Sequence, residues 1–374
     1  MQIVNIDYYK PEFLIEIGGK RHRELNNAVI SLTIDENLEN PSILDMNLRE
    51  GLKIDNQTYE WLDNPLIGPE RGEEIKLYMG YANEPNKFKT PLFVGRITAL
   101  NPSFPSSGIP TLQVQAYDYG SCLQKSKMSL DSKINQKEDF SEVAEEIARK
   151  HGLEIDKIEK TSIKPCENIT QESETTDYQY LSELAKKLDF EFFIRDKKLY
   201  FRKPRDSEDN IMMTLTWGKE LLSFSPRLTT ANIVKEVTVT GHNPQKPNDP
   251  IKATATLADL ESKETKSKSG VEFIKNCLKT EAKVELNLPI CNEKEAKAMA
   301  IAVLKKSNNN LIEGSCECIG IPYLRPGVNV MIEGVGNRFK GKYYVKSVKH
   351  TIGDGYTMSF EVRRGAVGDI GSGR

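Results

Sequence analysis

The sequence predicts an α+β protein that is mainly β, with two similar tandem β-barrel domains, an inserted α/β module and a helical excursion. Three observations predict it. Apolar and polar residues alternate with a period of two through most of the first 120 residues and again after residue 310, as in half-buried strands. Between those regions, apolar residues recur every three to four positions, as on a one-sided helix. Finally, the two strand-rich regions share spaced residues.

In the first region, Phe13 to Ile17 and Val29 to Ile34 alternate, and Ile75 to Met79, Phe93 to Ala99 and Thr111 to Ala116 keep the same period. Asn64-Pro65, Gly68-Pro69 and the proline-rich stretch Asn101 to Pro110 read as loops. Residues 1–120 are therefore expected to form the first barrel. Residues 121–205 form the α/β insert. Its first helix runs from Asp139 to Gly152 and turns Val143, Ala144, Ile147 and Ala148 inward. Asp139 is its cap, Glu142 completes a reciprocal capping box, and Gly152 ends it. A second helix, capped by Thr176, carries Tyr178, Leu181, Leu184, Ala185 and Leu188 on one face. A hairpin follows: Phe190 to Ile194, a turn at Arg195-Asp196, then Lys198 to Arg202.

The second barrel is expected to start within 206–243, with strands at Met212 to Trp217 and Asn232 to Thr240. Residues 244–309 are read as a loop and helix excursion. The interval His242 to Gly270 is rich in Pro, Lys, Ser, Asp and Glu and reads as exposed. A helix then starts at Asn292, carrying Ala296, Met299, Ala300, Val303 and Leu304 inward. Residues 310–365 complete the barrel through Glu313 to Ile319, Val328 to Ile332, Lys342 to His350 and Thr357 to Arg363. Residues 366–374, with three glycines and no pattern, read as a flexible tail.

The shared residues point to duplication. Phe93-x-Gly95-Arg96 matches Phe339-x-Gly341-Lys342, and the same shift of 246 positions carries Thr111, Leu112, Val114 and Ala116 onto Thr357, Met358, Phe360 and Val362. Gly72, Ile75 and Leu77 echo Gly327, Val330 and Ile332 at a slightly different offset. Three copies of a two-barrel chain can close into a ring of six similar modules, with threefold and approximate sixfold symmetry.

Several segments resemble the phage late control gene D family of contractile-tail baseplate hubs, which is similar to the N-terminal part of type VI secretion VgrG spikes. They include Phe93 to Thr98, Asn101 to Phe104 and Leu112 to Asp118. The stretch Ile169 to Leu181, followed by Leu184-Ala185 and Phe190-Glu191-Phe192, resembles the family's Gln-x-x-x-Ser/Thr-Asp-aromatic-x-x-Leu-x-x-Leu-Ala signature. Lys198 to Phe201, Gly341 to His350 and Gly355-Tyr356-Thr357 fit its later parts. The resemblance implies a homotrimeric ring at the base of a tail tube. Its partners would be a tube or tube-initiator protein above, a spike below and baseplate wedge proteins around it. The chain ends ten residues after Arg364, so the resemblance implies that the spike or needle is a separate polypeptide.

Charge and composition narrow the function classes. Lys plus Arg (52) nearly balance Asp plus Glu (54), so no bulk charge draws the chain to nucleic acid or an anionic membrane. The basic cluster Lys263 to Lys268 is diluted by Glu261 and Glu264. No basic flank and apolar run opens the sequence, and no segment approaches the ~20 apolar residues of a membrane span. The expected location is the bacterial cytoplasm during assembly, then the baseplate of a tail or tail-like particle. Cys122, Cys166, Cys277 and Cys291 are scattered, while Cys316 and Cys318 share a strand face. No second paired element accompanies them, so they read as buried small residues rather than metal ligands.

Catalytic constellations are equally sparse, and neither a cofactor nor a metal is expected. The four histidines, His22, His151, His242 and His350, have no recognisable partners. Asp177 suits the first turn of a helix, where a carboxylate favours the exposed N–H groups, and Glu145 and Glu146 face solvent. Gly334-x-Gly336 and Gly353-x-Gly355 read as hairpin turns. Tyr8, Tyr9, Tyr117, Tyr119 and Tyr178 read as packing residues, and Trp61 is the candidate interface anchor, whose replacement by Ala should weaken association and leave the monomer folded. The expectation is a non-enzymatic structural hub joining a sixfold tube to a threefold spike. The alternatives are a tail-associated cell-wall hydrolase, which needs a carboxylate pair or Cys-His constellation, and a cargo or effector adaptor of a secretion system.

Overall fold

The computed structural model describes residues 10–85, 87–127, 137–165, 175–241, 249–260, 283–287, 290 and 292–365. Tyr8, Tyr9, Cys166, Cys277, Cys291, His242, the Lys263 to Lys268 cluster, the signature stretch 169–174 and the tail 366–374 lie outside the described residues.

In chain order, the first half carries β1 (Pro11–Ile17), β2 (Lys20–Arg21), α1 (Arg23–Ala28), β3 (Val29–Asn37), β4 (Ile43–Arg49), the short β5 (Leu52–Lys53) and β6 (Thr58–Tyr59), β7 (Glu74–Tyr81), β8 (Phe93–Ser103) and β9 (Thr111–Tyr117). Next come α2 (Gly120–Lys125), α3 (Phe140–Lys150), β10 (Glu154–Ile158), α4 (Asp177–Leu188), β11 (Glu191–Arg195) and β12 (Lys198–Arg202). The second half carries β13 (Ile211–Thr216), β14 (Leu221–Leu228), β15 (Glu236–Gly241), β16 (Ile251–Thr256), β17 (Lys283–Asn287), α5 (Glu293–Asn309), β18 (Ile312–Ile319), β19 (Asn329–Glu333), α6 (Gly336–Phe339), β20 (Gly341–Ile352) and β21 (Tyr356–Arg364). The chain is thus α+β and mainly β.

One 13-stranded sheet runs through both halves in the order β14-β18-β21-β20-β3-β4-β9-β8-β7-β1-β2, with β19 on β20 and β13 on β19. Split at the β20–β3 junction, it yields the same arrangement twice. The first half is ordered β3-β4-β9-β8-β7-β1 and the second β14-β18-β21-β20-β19-β13. In both, the strands come second, third, sixth, fifth, fourth and first along the chain. Each half curls around its own core. Ile15, Leu32, Met46, Ile75, Ile97 and Val114, from all six first-half strands, share one apolar cluster. Leu215, Leu221, Cys316, Val330, Val345 and Phe360 share the other. A flat sheet could not bring its first and last strands into one core.

The register makes the repeat residue-specific. In β8, Thr98 bulges between the pairs Ile97–Ala116 and Ala99–Gln115. In β20, Lys346 bulges between Val345–Val362 and Ser347–Glu361. In β3, Ile30 bulges before Ser31–Asn47, and in β14 Leu222 does so before Ser223–Glu317. Bulges re-aim a strand and are specific to position, so two coincident bulges tie the halves together. Gly72 and Gly327 also correspond, both with positive φ (63° and 87°) just before β7 and β19. The sequence correspondence of Phe93 with Phe339 slips by two residues, however. Ladder pairing sets Arg96, opposite Tyr117, against Tyr344, opposite Arg363. The first strands also differ: β1 is antiparallel to β7, whereas β13 is parallel to β19.

The inserts have their own cores. In the α/β module, β10-β12-β11 form a sheet packed by α3 and α4. Asp196 and Lys197, with φ of 50° and 63°, make the two-residue hairpin turn between β11 and β12. The strand expected at Asn232 to Thr240 does not join the large sheet. It is β15, and it pairs with β16 and β17 beneath α5. Within the stretch expected to be exposed, Ile251, Ala255 and Leu257 are buried in that small core and its neighbour. Alternating Val237, Val239, Ile251 and Ala255 on one face needs a cover, and the Ala296–Met299–Ala300–Leu304 stripe of α5 supplies it.

Candidate functional site: the internal junction and the free sheet edges

The two halves meet where β20 pairs with β3, from Ser347–Asn37 to Ile352–Leu32. On the inward side of this seam Leu32, Ile34, Glu36, Val348, His350 and Ile352 are all buried. Glu36 is 3% exposed, and Arg325, from the loop before β19, holds it: Arg325 Nε donates to both carboxylate oxygens at 3.1 Å, and a further guanidinium nitrogen closes the fork. Burial alone would raise the Glu36 carboxyl, but the charge and hydrogen bonds of Arg325 outweigh it and hold it below the usual carboxylate range.

His350 lies beside this pair, fully buried inside β20 rather than at its end, with Nδ1 2.8 Å from the Tyr356 hydroxyl. Burial pulls its pKa down to about 4, against the nearby Glu36 carboxylate. It is therefore a neutral core imidazole at neutral pH. Tyr81 completes the crossing by donating its hydroxyl to the Gly320 carbonyl at 2.6 Å.

The α/β module is clamped to the same node. Arg195 and Arg202 donate to the carbonyls of Pro326 and Gly327, each at 3.0 Å. Tyr344 donates to Glu191 at 2.5 Å, Tyr178 to the Glu39 carbonyl at 2.9 Å, and Lys197 pairs with Glu74 at 2.5 Å. Tyr119 donates to the same Glu74. These contacts are spread over both halves, so the module braces the angle between them.

The remaining residues singled out by sequence fall into structural roles. Trp61 is 4% exposed and sits in the first core, with its backbone N–H donating to Glu50. Its ring fills the first core within the single chain, so truncation would open a cavity in the monomer itself, in contrast to the expectation that Trp61→Ala leaves the monomer folded. Thr176 caps α4 with a reciprocal box through Gln179. Asp139 caps α3 through the Ser141 N–H and also gathers Thr161 and Ser162. Asp177 opens α4 as expected but has partners the sequence did not reveal. It is 1% exposed, 2.7 Å from His151 Nε2 and 2.8 Å from Lys150 Nζ at the end of α3. The two residues lie 26 positions apart, and only the packing of α3 on α4 brings them together. Glu145 and Glu146 form surface pairs with Arg149 and Lys137. Gly353 and Gly355 form the β20–β21 turn, whereas Gly336 opens the four-residue α6.

Cys316 and Cys318 are buried at 1% and 0%. They occupy the places of Met46 and Leu48 in the first half, since each pair faces the same two rungs of β21 or β9. Burial pushes the Cys318 thiol up to about 12 and Cys316 higher still, so both are inert core side chains. Among the described residues, no three His, Cys, Asp or Glu side chains converge as metal ligands, and no helix is long and apolar enough to cross a membrane. A cleft of about 770 Å³ opens between α4, α5 and the sheet. Two acidic groups on its wall are engaged, Asp189 with Lys305 and Glu191 with Tyr344.

The unpaired strand edges among the described residues include β14, which ends the large sheet, and β8 beyond Ile97 on the side facing β7. Within the chain, the corresponding edges of β3 and β20 pair with each other.

This duplicated, curled sheet with a bracing α/β module is the fold of phage tail proteins. The 43 kDa tail protein of prophage MuSo2 from Shewanella oneidensis superposes with a TM-score of 0.68, at 14% identity over 95% of this chain and 99% of that one. A tail protein from Neisseria meningitidis MC58 gives 0.66, at 13% identity over 95% and 97%. The E. coli c3393 protein, described as a type VI secretion component with similarity to the T4 tail proteins gp27 and gp5, gives 0.51, at 10% identity over 95% and 77%. By sequence, the family model described as the Alg8 N-terminal domain matches residues 11–354, and the chain belongs to that family. No curated protein matches the sequence.

Proposed function

We propose that this protein is a structural, non-enzymatic baseplate hub of a contractile tail or tail-like injection system, of the late control gene D and VgrG-like type. In this reading three chains form a ring whose six sheet modules sit under a sixfold tube, while its true threefold symmetry receives a separate spike. The observation that carries it is the repeated strand order with coincident bulges in β3/β14 and β8/β20. One polypeptide thereby offers two near-equivalent docking modules, which a threefold assembly multiplies to six. The tail-protein fold supports the same reading. So does the nature of the described polar clusters, which tie elements together instead of leaving reactive groups in a cleft.

The test is assembly. The purified full chain should sediment at three times its 42.3 kDa mass. Mixed with the tube and spike proteins of its own particle, it should form a complex containing both. A chain that stays monomeric and binds neither protein overturns the proposal.

A further inference from the structure

We propose that neighbouring chains join by pairing β8 of one copy with β14 of the next, antiparallel, in the register Ala99–Thr229, Leu100–Leu228, Asn101–Arg227, Pro102–Pro226, Ser103–Ser225. This rests on the hub reading above and names the surface that closes its ring. The register is taken from the chain itself. At the internal junction Ser347 faces Asn37, Lys349 faces Asp35 and Thr351 faces Thr33. The β8–β9 and β20–β21 ladders, with their matching bulges, equate Ser347 with Ala99, Lys349 with Asn101 and Thr351 with Ser103. The β3–β4 and β14–β18 ladders equate Asn37 with Thr229, Asp35 with Arg227 and Thr33 with Ser225. Carrying the internal seam through both equivalences yields the external one.

Three features of the free edges fit a second copy as occupant. First, the positions that the internal junction buries are apolar and open at the external edges. Leu32, Ile34 and Ile352 are buried, whereas their counterparts Phe224 and Pro226 are only half-buried and Phe104 is 53% exposed. Leu222, the bulged residue of β14, is 52% exposed beside them. An unpaired edge with an apolar face is a template for another strand, and obligate interfaces bury such surface.

Second, the ion pair that the internal seam buries has no counterpart left to satisfy at the external one. Glu36 of β3, which Arg325 grips, corresponds to Leu228 of β14, and Val348, which faces Glu36, corresponds to Leu100 of β8. The register therefore sets Leu100 against Leu228, two apolar side chains that are only half-buried within one chain. Glu70, which stands in the place of Arg325 before β7, is exposed and meets no strand carboxylate there.

Third, the prolines fall opposite one another. Proline interrupts a ladder because it lacks an N–H. In this register Pro102 and Pro226 share one residue pair, so any lost hydrogen bonds are confined there, and shifted registers spread them over two. The β8-to-β14 contact is heterologous, with different surfaces on the two partners. Such a contact generates a ring when its rotation closes, as the threefold hub reading requires, and not a face-to-face pair.

The experiment is crosslinking coupled to mass. Full-length chains carrying Asn101→Cys alone and Arg227→Cys alone are mixed and treated with a short bismaleimide, so that any peptide joining the two positions is intermolecular. The chain with both substitutions should yield a covalent trimer on a denaturing gel. Asp35→Cys with Lys349→Cys is the internal control and should bridge within one chain. A 101–227 crosslink in a particle of threefold mass supports the seam. A threefold particle that lacks it while the control bridges overturns the seam and leaves the hub reading standing. A chain that is monomeric under the same conditions overturns both.

Discussion

The two halves of the molecule share a strand order and two bulges, yet they spend their loops and their edges differently. In the first half, the connection between β4 and β7 is long and drops Trp61 into the barrel, while β3 passes to β4 by a short loop. In the second half, the connection between β18 and β19 is short, and the one between β14 and β18 holds the whole β15–β17 sheet and α5. The edges diverge in chemistry. β3 and β20 bury Glu36 and His350 at the internal seam, whereas the matching residues of β14 and β8 are Leu228 and Pro102. The ladder is thus the retained feature, and the contents of each edge are adapted to what covers it. A seam inside one chain can carry a buried ion pair, because Arg325 is always delivered by the same polypeptide. An edge that must be exposed before assembly fares better with apolar and surface-charged residues that are soluble singly.

That difference can be broken most severely at Arg325. Arg325→Met leaves Glu36 buried and unpaired, with an expected cost of about 3–5 kcal/mol, whereas adding Glu36→Leu gives the internal seam the character of the external edge and restores most of the loss. Urea unfolding of the three proteins checks this, and equal stability of the single and double variants would contradict it. In the first half only, Trp61→Ala should cost about 3–5 kcal/mol through the cavity it opens. Loss of trimer with an undiminished unfolding midpoint would instead restore Trp61 to an interface.

The seam also predicts a pH dependence. The folded pKa of His350, about 4, lies below its ordinary value of 6.5. Its contribution is therefore fully present above pH 6.5 and is lost as pH falls from there towards 4, by an amount of the order of 3 kcal/mol. The fall should shrink in His350→Leu, measured by chemical denaturation at pH 7.5, 5.5 and 4.5, and an identical fall in both proteins removes His350 as its source. The smallest effect is expected away from either seam. Thr176→Ala should cost about 1 kcal/mol, the usual value of an N-cap, without changing assembly.

Much of this fold is legible in the sequence, because local periodicity writes it. The stripes of α3 and α4, their Asp139 and Thr176 caps and most barrel strands follow from spacing and turn residues alone. Asp139, however, caps α3 through Ser141 and not through the box expected with Glu142, and the β11–β12 turn falls one residue later than expected, at Asp196-Lys197. The duplication is legible too, but its register is not. Phe93 and Phe339 align by residue type, while the ladders place Phe93 against Gly341, since a strand's register is set by its partners and its bulges. β15 has the alternation of a barrel strand and still belongs to another sheet, because alternation states that one face is buried and not against what. Trp61 shows a related gap: the sequence singles out its large ring but does not state that it fills the first core of its own chain. The Asp177–His151 and Glu36–Arg325 contacts join residues far apart in sequence, and no local pattern announces them.

The central claim is that two halves of one chain are interchangeable as ring modules. It is tested most directly by electron cryo-microscopy of the purified assembly viewed down its axis. The account predicts three chains in a closed ring, with six sheet modules alternating between first and second halves around a common circle. A face-to-face dimer, or a ring in which the two halves lie at different radii, would contradict it.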